Sequence, residues 1–151
     1  MQKAKEQNPI SISEITQRKK IDFGDTILSE QEIIDFALVF DPLDFHTNKE
    51  KAKNSFFKGL IASGPHIFNH VHKTKWIPLF KDTVICGLEI NNWKFLKPVY
   101  PNQKIRSTVT IIKTKPNHEK NSVAVTWYYE FKNEAGEIIQ SLEMIVLHKI
   151  S

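Results

Sequence analysis

A single cysteine, Cys86, stands in the 151 residues. One thiol cannot close an intrachain disulfide, so a disulfide-stapled scaffold is excluded and a reducing compartment is expected. No apolar run approaches the roughly 18 residues of a membrane-crossing helix. The N-terminus also lacks the basic-then-apolar pattern of a secretory signal, which leaves a cytoplasmic protein as the default expectation. Concentrated charge is missing too. The net charge is +4, spread along the chain, and the densest basic run is only Arg18-Lys19-Lys20. A nucleic-acid partner calls for a basic stripe, so none is expected; attraction of a phosphate-bearing small molecule suits the mild excess. There is no internal repeat and no low-complexity segment.

What is present is aromatic and aliphatic area. Ten Phe, three Trp and three Tyr accompany 40% hydrophobic and 25% charged residues. That is the balance of a soluble globular protein with a real core. The length fits one domain. Residues 1–20 are polar and weakly patterned and read as a loose arm, with the domain proper at 21–151. Within Thr83-Val84-Ile85-Cys86 the cysteine reads as a small buried hydrophobe.

Ile21 to Ile27 reads as a short strand with a bend at Gly24. Ser29-Glu30-Gln31-Glu32 has capping-box spacing, and Ile33, Phe36, Ala37 and Phe40 follow as the buried stripe of a helix. Pro42 stops that helix, because the residue before a proline is pushed out of helical conformation. Asn48 to Asn54 reads as a short exposed helical turn and Ser55 to Ser63 as a connector. Gly64-Pro65 opens a second helix that runs to about Pro78, with Pro65 at the tolerated first position.

The second half changes period. Val84 to Phe95, Lys104 to Thr114, Ser122 to Lys132 and Glu137 to His148 are rich in β-branched and aromatic residues and separated by turn sequences. Val123, Val125, Trp127, Tyr129 and Phe131 alternate, as do Leu142, Met144 and Val146. A strand, then helices, then four long strands indicate an α+β domain in which one antiparallel sheet wraps around the Gly64–Trp76 helix. That is the hotdog arrangement. Trp76, Trp93 and Trp127 read as core or interface aromatics.

The stretch Asp41 to Gly64 carries the candidate chemistry. Asp41 and His46 lie five apart in a Pro-broken loop after a helix, and Gly64 opens the next helix. An acid, a base and an unpaired helix N–H are what chemistry on a thioester carbonyl requires. Spacing alone leaves a second reading open, in which Asp41 merely ends a helix and His46 decorates a loop.

At these residues the chain resembles the MaoC-like dehydratases, which include the R-specific enoyl-CoA hydratases. Asp41 and His46 match an Asp, four residues, then a His. Ile61-Ala62-Ser63-Gly64 matches the step into the central helix, and Asn92 to Pro101 resembles the family's strand and Pro-Val-x-Pro-Gly-Asp turn. The resemblance covers residues 21 to 148. It implies a hydratase or dehydratase of 2-enoyl and 3-hydroxyacyl thioesters carried on coenzyme A or acyl carrier protein, with no cofactor. Asp41 and His46 would hold and deprotonate the attacking water and protonate the α-carbon. The Gly64 N–H would stabilise the enolate oxygen. Ser63, Phe45, Ile61, His70, His72 and Trp93 would bind substrate, with His70 or His72 along the acyl tunnel. Two chains would share a continuous sheet as a homodimer.

The sequence also departs from the family. Leu43 stands where it has Asn or Gln, Asp44 where it has Pro, and Asn102-Gln103 where it has Gly-Asp. These leave open a non-catalytic binding protein or partner subunit with a decayed site. A hotdog thioesterase would need a carboxylate on the central helix, and Gly64 to Trp76 contains none. His66 and His70 share a helix face at metal-compatible spacing, but no Glu follows His66, so no metal is expected. His118 and His148 read as surface residues. Lys94, Lys97, Lys104 and Arg106 flank the proline turn and read first as a solvated face, with phosphate contacts to a coenzyme A tail as the alternative. Asp41 and His46, placed at a cleft, are expected to carry little packing.

Overall fold

The computed structural model describes residues 20–150; the expected arm at 1–20 therefore lies, apart from Lys20, outside the described residues. β1 (Lys20–Ile27) leads into α1 (Glu30–Phe40). Two short helices follow, α2 (Asp44–Thr47) and α3 (Lys49–Lys53). The central helix begins as α4 (Gly64–Val71), passes through a π-helical turn at His72–Trp76 and ends as α5 (Ile77–Phe80). The rest is sheet: β2 (Val84–Phe95), β3 (Lys104–Asn117), β4 (Ser122–Lys132) and β5 (Ile138–Lys149). The five strands lie in the order β1-β3-β4-β5-β2, every neighbour antiparallel.

Alternation decides which face is filled. Val123, Val125, Trp127, Tyr129 and Phe131 on β4 are all buried, as are Leu142, Met144 and Val146 on β5. Ile67, Phe68, Val71 and Trp76 of the central helix belong to the same core. Phe68 meets Tyr129 edge-on at 5.1 Å, and Trp76 meets Trp127 edge-on at 5.4 Å. The helix thus lies in the concave face of the sheet, and each aromatic contact adds about 1 kcal/mol to the area buried. No helix among the described residues is long and apolar enough to cross a membrane.

Local chemistry explains the element ends. The Ser29 hydroxyl accepts from the Glu32 N–H at 3.1 Å, and the Glu32 carboxylate accepts from the Ser29 N–H at 3.2 Å, the reciprocal capping box. Gly24 has φ +74° and sits where the β1–β3 register slips. Asn102, in the place of the family's Gly, adopts φ +62°, which Asn tolerates better than other side chains. The neighbouring Gln103 carboxamide accepts from the Tyr100 N–H at 3.2 Å, so the turn is rebuilt with different atoms.

Several expectations are corrected. The helix runs past Pro78 to Phe80 because a π-helical turn precedes the proline. The Ile77 N–H bonds the His72 carbonyl, five residues back, which accommodates a residue that can neither donate nor tolerate a close carbonyl. Phe40 is 70% exposed rather than core, since α1 buries Ile33 and Ala37, half-buries Ile34 and Phe36, and leaves Leu38, Val39 and Phe40 of its last turn exposed. Cys86 is exposed, because β2 is an outer strand with little covering it. His148 is fully buried, because β5 runs through the middle of the sheet and its inward face meets Trp127.

Candidate active site

The loop after α1 is pinned at every step. The Asp41 N–H closes the helix on the Ala37 carbonyl at 2.8 Å, and Pro42 turns the chain away. The His46 N–H bonds Leu43 O at 2.9 Å, which winds the single turn of α2. The connector returns to meet it: Ile61 N–H donates to Phe45 O at 3.1 Å and Ala62 N–H to Val99 O at 2.8 Å. Residues far apart in sequence are thereby set side by side before any side chain is considered.

His46 is 4% exposed. Its Nδ1 lies 2.7 Å from the Ile61 carbonyl oxygen, which can only accept, so Nδ1 carries a proton. In the neutral ring Nε2 is then the free base, and it faces Asp41 Oδ2 at 3.3 Å. The same Asp41 oxygen accepts the Ser63 hydroxyl at 2.7 Å. Ser63 is buried and precedes α4, but its hydroxyl makes no helix cap. The expectation of little packing is therefore wrong for His46, which the second chain segment encloses.

These groups line a cavity of about 380 Å³ with Gly64, Phe57, Phe95, Lys97, Pro98 and Gln140 among its other walls. The Gly64 N–H takes no hydrogen-bond partner among the described residues and stands at the positive end of the central helix. A side chain here would have to push the Phe95 ring aside. A Cβ there would lie 2.6 Å from the Phe95 ring.

The remaining expected residues divide. Ile61 lines the cavity and contributes its carbonyl to His46. Phe45 stacks edge-on against His46 at 4.4 Å and lies behind it. His70 and His72 are not in this cavity; they line a second, more open cleft of about 820 Å³, which Asp41 and Ser63 also border. Trp93 lines neither; its indole N–H donates to Gln140 Oε1 at 3.0 Å. Gln140, Phe95, Phe57 and Pro98 were not anticipated, and only the Phe95 to Pro98 stretch had a sequence signal, the proline turn. Of the four proposed cations, Lys97 alone borders the cavity, where it pairs with Glu137. Arg106 is engaged by Asp22 across the β1–β3 pair.

His66 and His148, which are buried, and His72, which is half-buried, are held neutral. Burial pushes His66 down to about 4, helped by neighbouring His70, and burial alone does the same to His72 and His148. His66 stacks flat on Phe36 at 4.2 Å, and its Nδ1 is enclosed without a partner. No group of three or more His, Cys, Asp or Glu side chains among the described residues could hold a metal ion.

Comparison with known proteins follows the same lines. A family model for the MaoC like domain matches residues 2–134. YdeM, an uncharacterised protein of Bacillus subtilis (strain 168), is 30% identical over 124 residues, covering 81% of this chain and 86% of its own. A solved structure named as a monoamine oxidase regulatory protein from Archaeoglobus fulgidus superposes with TM-score 0.81 at 26% identity, covering 97% of this chain and 98% of that one. A MaoC-like dehydratase from Rhodospirillum rubrum gives TM-score 0.75 at 25% identity, covering 86% of this chain and 90% of that one. An R-hydratase from Pseudomonas aeruginosa shares the fold at TM-score 0.67 and 20% identity, covering 87% of this chain and 81% of its own. With a five-stranded antiparallel sheet wrapped around its helix and a matching family model over most of its length, the chain is a hotdog-fold member of the MaoC-like domain family.

Proposed function

We propose that the protein hydrates 2-enoyl thioesters to 3-hydroxyacyl thioesters, and runs the reverse dehydration, at the Asp41–His46 pair. The observation that carries this reading is the polarity of that pair. The Ile61 carbonyl claims the Nδ1 proton, which leaves Nε2 as a base beside a carboxylate, at the wall of a cavity whose opposite donor is an unpaired N–H.

A water on the cavity side of the pair, held by both Asp41 Oδ2 and His46 Nε2, loses a proton to Nε2 as its oxygen bonds the β-carbon. The C2–C3 π pair moves toward the thioester oxygen, where the Gly64 N–H receives it. The proton then passes to the α-carbon, so water is added and no co-reactant is consumed. An oxyanion donor of this kind is worth about 3–4 kcal/mol of barrier. Ser63 holds Asp41 in place by donating to the same carboxylate oxygen that faces His46.

The side chains of the two loop residues that differ from the family pattern stay clear of this machinery, and Leu43 meets His46 only through its backbone carbonyl. Leu43 is half exposed and Asp44 pairs with Lys51 at 3.5 Å; neither lines the cavity. This favours a working site over a decayed one. The carrier, coenzyme A or acyl carrier protein, would enter past Lys97.

The test is hydration of crotonyl-CoA followed by loss of the enoyl absorbance. Turnover by wild type that Asp41→Asn and His46→Asn both lack is the expected result; turnover retained by both variants would remove the reading. A homodimer belongs to the same proposal. β2 is an outer strand, and Ile85, Leu88 and Ile90 on it stand about half exposed, an edge that a second copy would cover. Sedimentation at micromolar concentration should give a dimer, and a monomer there would sink this part.

A further inference from the structure

We infer that Gln140 is a positioning residue for the Gly64 oxyanion donor, and that a bulge in β2 exists to hold Gln140 through Trp93. The inference rests on the hydration reading above and goes beyond its dyad.

Gln140 is 3% exposed, yet it forms part of the cavity wall. Both ends of its amide are engaged. Trp93 Nε1 can only donate, and it meets Oε1 at 3.0 Å; the Gly64 carbonyl can only accept, and it meets Nε2 at 2.9 Å. Flipping the amide would set donor against donor and acceptor against acceptor, so its orientation is fixed chemically.

The start of α4 needs such a hold. The Phe95 ring occupies the space a Cβ would take at Gly64, and glycine is the least restrained of residues. Its neighbours do not steady it in the usual way. The Ser63 hydroxyl, which would ordinarily cap the helix, is committed to Asp41. Pro65 has no N–H to bond. The Gln140 bond to the Gly64 carbonyl supplies from the sheet the restraint that the absent cap would have given from the chain.

The bulge completes the chain of contacts. The β2–β5 register slips between Asn91 and Lys94, and Asn92 takes φ +51°. A bulge re-aims the side chains beside it. Here it turns the Trp93 indole inward, edge-on to Phe68 at 5.3 Å and onto the amide of Gln140. Gln140 sits opposite Phe95 in the β2–β5 pairing, so one short piece of sheet both crowds Gly64 and anchors it.

Gln140→Met keeps the volume and removes both hydrogen bonds; Trp93→Phe leaves Gln140 in place but frees its amide to turn. With enoyl thioester as substrate, Gln140→Met should lose kcat by about ten- to a hundredfold with KM within about twofold, the pattern of a lost transition-state alignment. Trp93→Phe should lose less, and the double variant should be no worse than Gln140→Met alone. In wild type the Gly64 amide should give one sharp NMR resonance, broadened or shifted in both variants whether or not any substrate is turned over. Wild-type kcat in folded Gln140→Met, or an unchanged Gly64 resonance in Gln140→Met and Trp93→Phe, overturns the inference. Asp41→Asn in the same assay separates the two claims: if it is dead while Gln140→Met is fully active, the hydration reading stands and this one falls.

Discussion

Two histidines are buried at opposite ends of the central helix, and each has both ring nitrogens engaged. His46, near Gly64, has a backbone carbonyl on Nδ1 and a carboxylate facing Nε2. His148, near Trp76, has the Thr83 hydroxyl on Nδ1 at 2.9 Å and accepts the Trp127 indole N–H on Nε2 at 3.2 Å. The first pair of partners can stabilise a ring that gains a proton, and the ring borders a cavity. The second pair cannot, since an indole N–H on Nε2 leaves no room for one, and burial pushes His148 down to about 4. Burial of a histidine therefore says little about chemistry; the sign of its partners and access to a cavity decide it.

The sharpest way to break this contrast is at the acid end. Asp41→Asn and His46→Asn should each lower hydration by several orders of magnitude. The double variant should be no worse than either single one, because residues that act as a unit are not additive. His148→Gln, by contrast, should keep kcat. If progress curves show His148→Gln as damaging as His46→Asn, the contrast is wrong.

Gly64→Ala comes next. Its Cβ would force the Phe95 ring aside, so both stability and turnover should fall, the former by roughly 1–3 kcal/mol as for other overpacked sites. Phe95→Ala in the same chain should restore the thermal midpoint. A Gly64→Ala variant whose melting curve matches wild type would show that the close approach is unimportant.

The histidines that burial keeps neutral sharpen the comparison through pH. His66, His72 and His148 titrate near 6.5 when unfolded and are lowered to about 4 in the fold. Above 6.5 both states are neutral and the stability is complete. Below 6.5 the unfolded chain takes up protons that the folded chain refuses, so stability drains away as pH falls toward 4. Denaturant melts across this window should show that slope, and His148→Gln should make it shallower. An equal slope in wild type and variant would mean that His148 is protonated in the fold.

The smallest effect is expected at Lys97. Its pair with Glu137 is half exposed on both sides, so Lys97→Ala should change stability by less than about 1 kcal/mol. It should raise KM for a coenzyme A thioester a few-fold, and less so at high salt. An unchanged KM at low salt would remove Lys97 from the carrier path.

Much of this molecule is legible along the chain. The capping box at Ser29, the alternation from Val123 to Phe131 and the Gly24 bend are short-range patterns, and each is satisfied by atoms within a few residues or by one adjacent strand. The spacing of Asp41, His46 and Gly64 belongs to the same class, since a proline, one helical turn and one connector fix it. Other features have no local signature. Cys86 reads as core and is exposed because β2 lies at the outside of the sheet, a fact of strand order. His148 reads as surface and is buried because β5 lies between two neighbours.

The sequence by itself determined the elements, the class of fold and the candidate acid and base, because hydrophobic period, caps and proline breaks act over a few residues. Only the tertiary structure decided which nitrogen of His46 meets a backbone acceptor and which faces Asp41. That depends on the Ile61 carbonyl, 15 residues away and brought back by backbone bonds to residues 45 and 99. It alone decided the hold on Gly64, which comes from Gln140, 76 residues further along, and which exists only when β5 and β2 pair beneath the helix. A hydrogen bond needs its two atoms about 3 Å apart, and over such separations only the closed fold sets that distance.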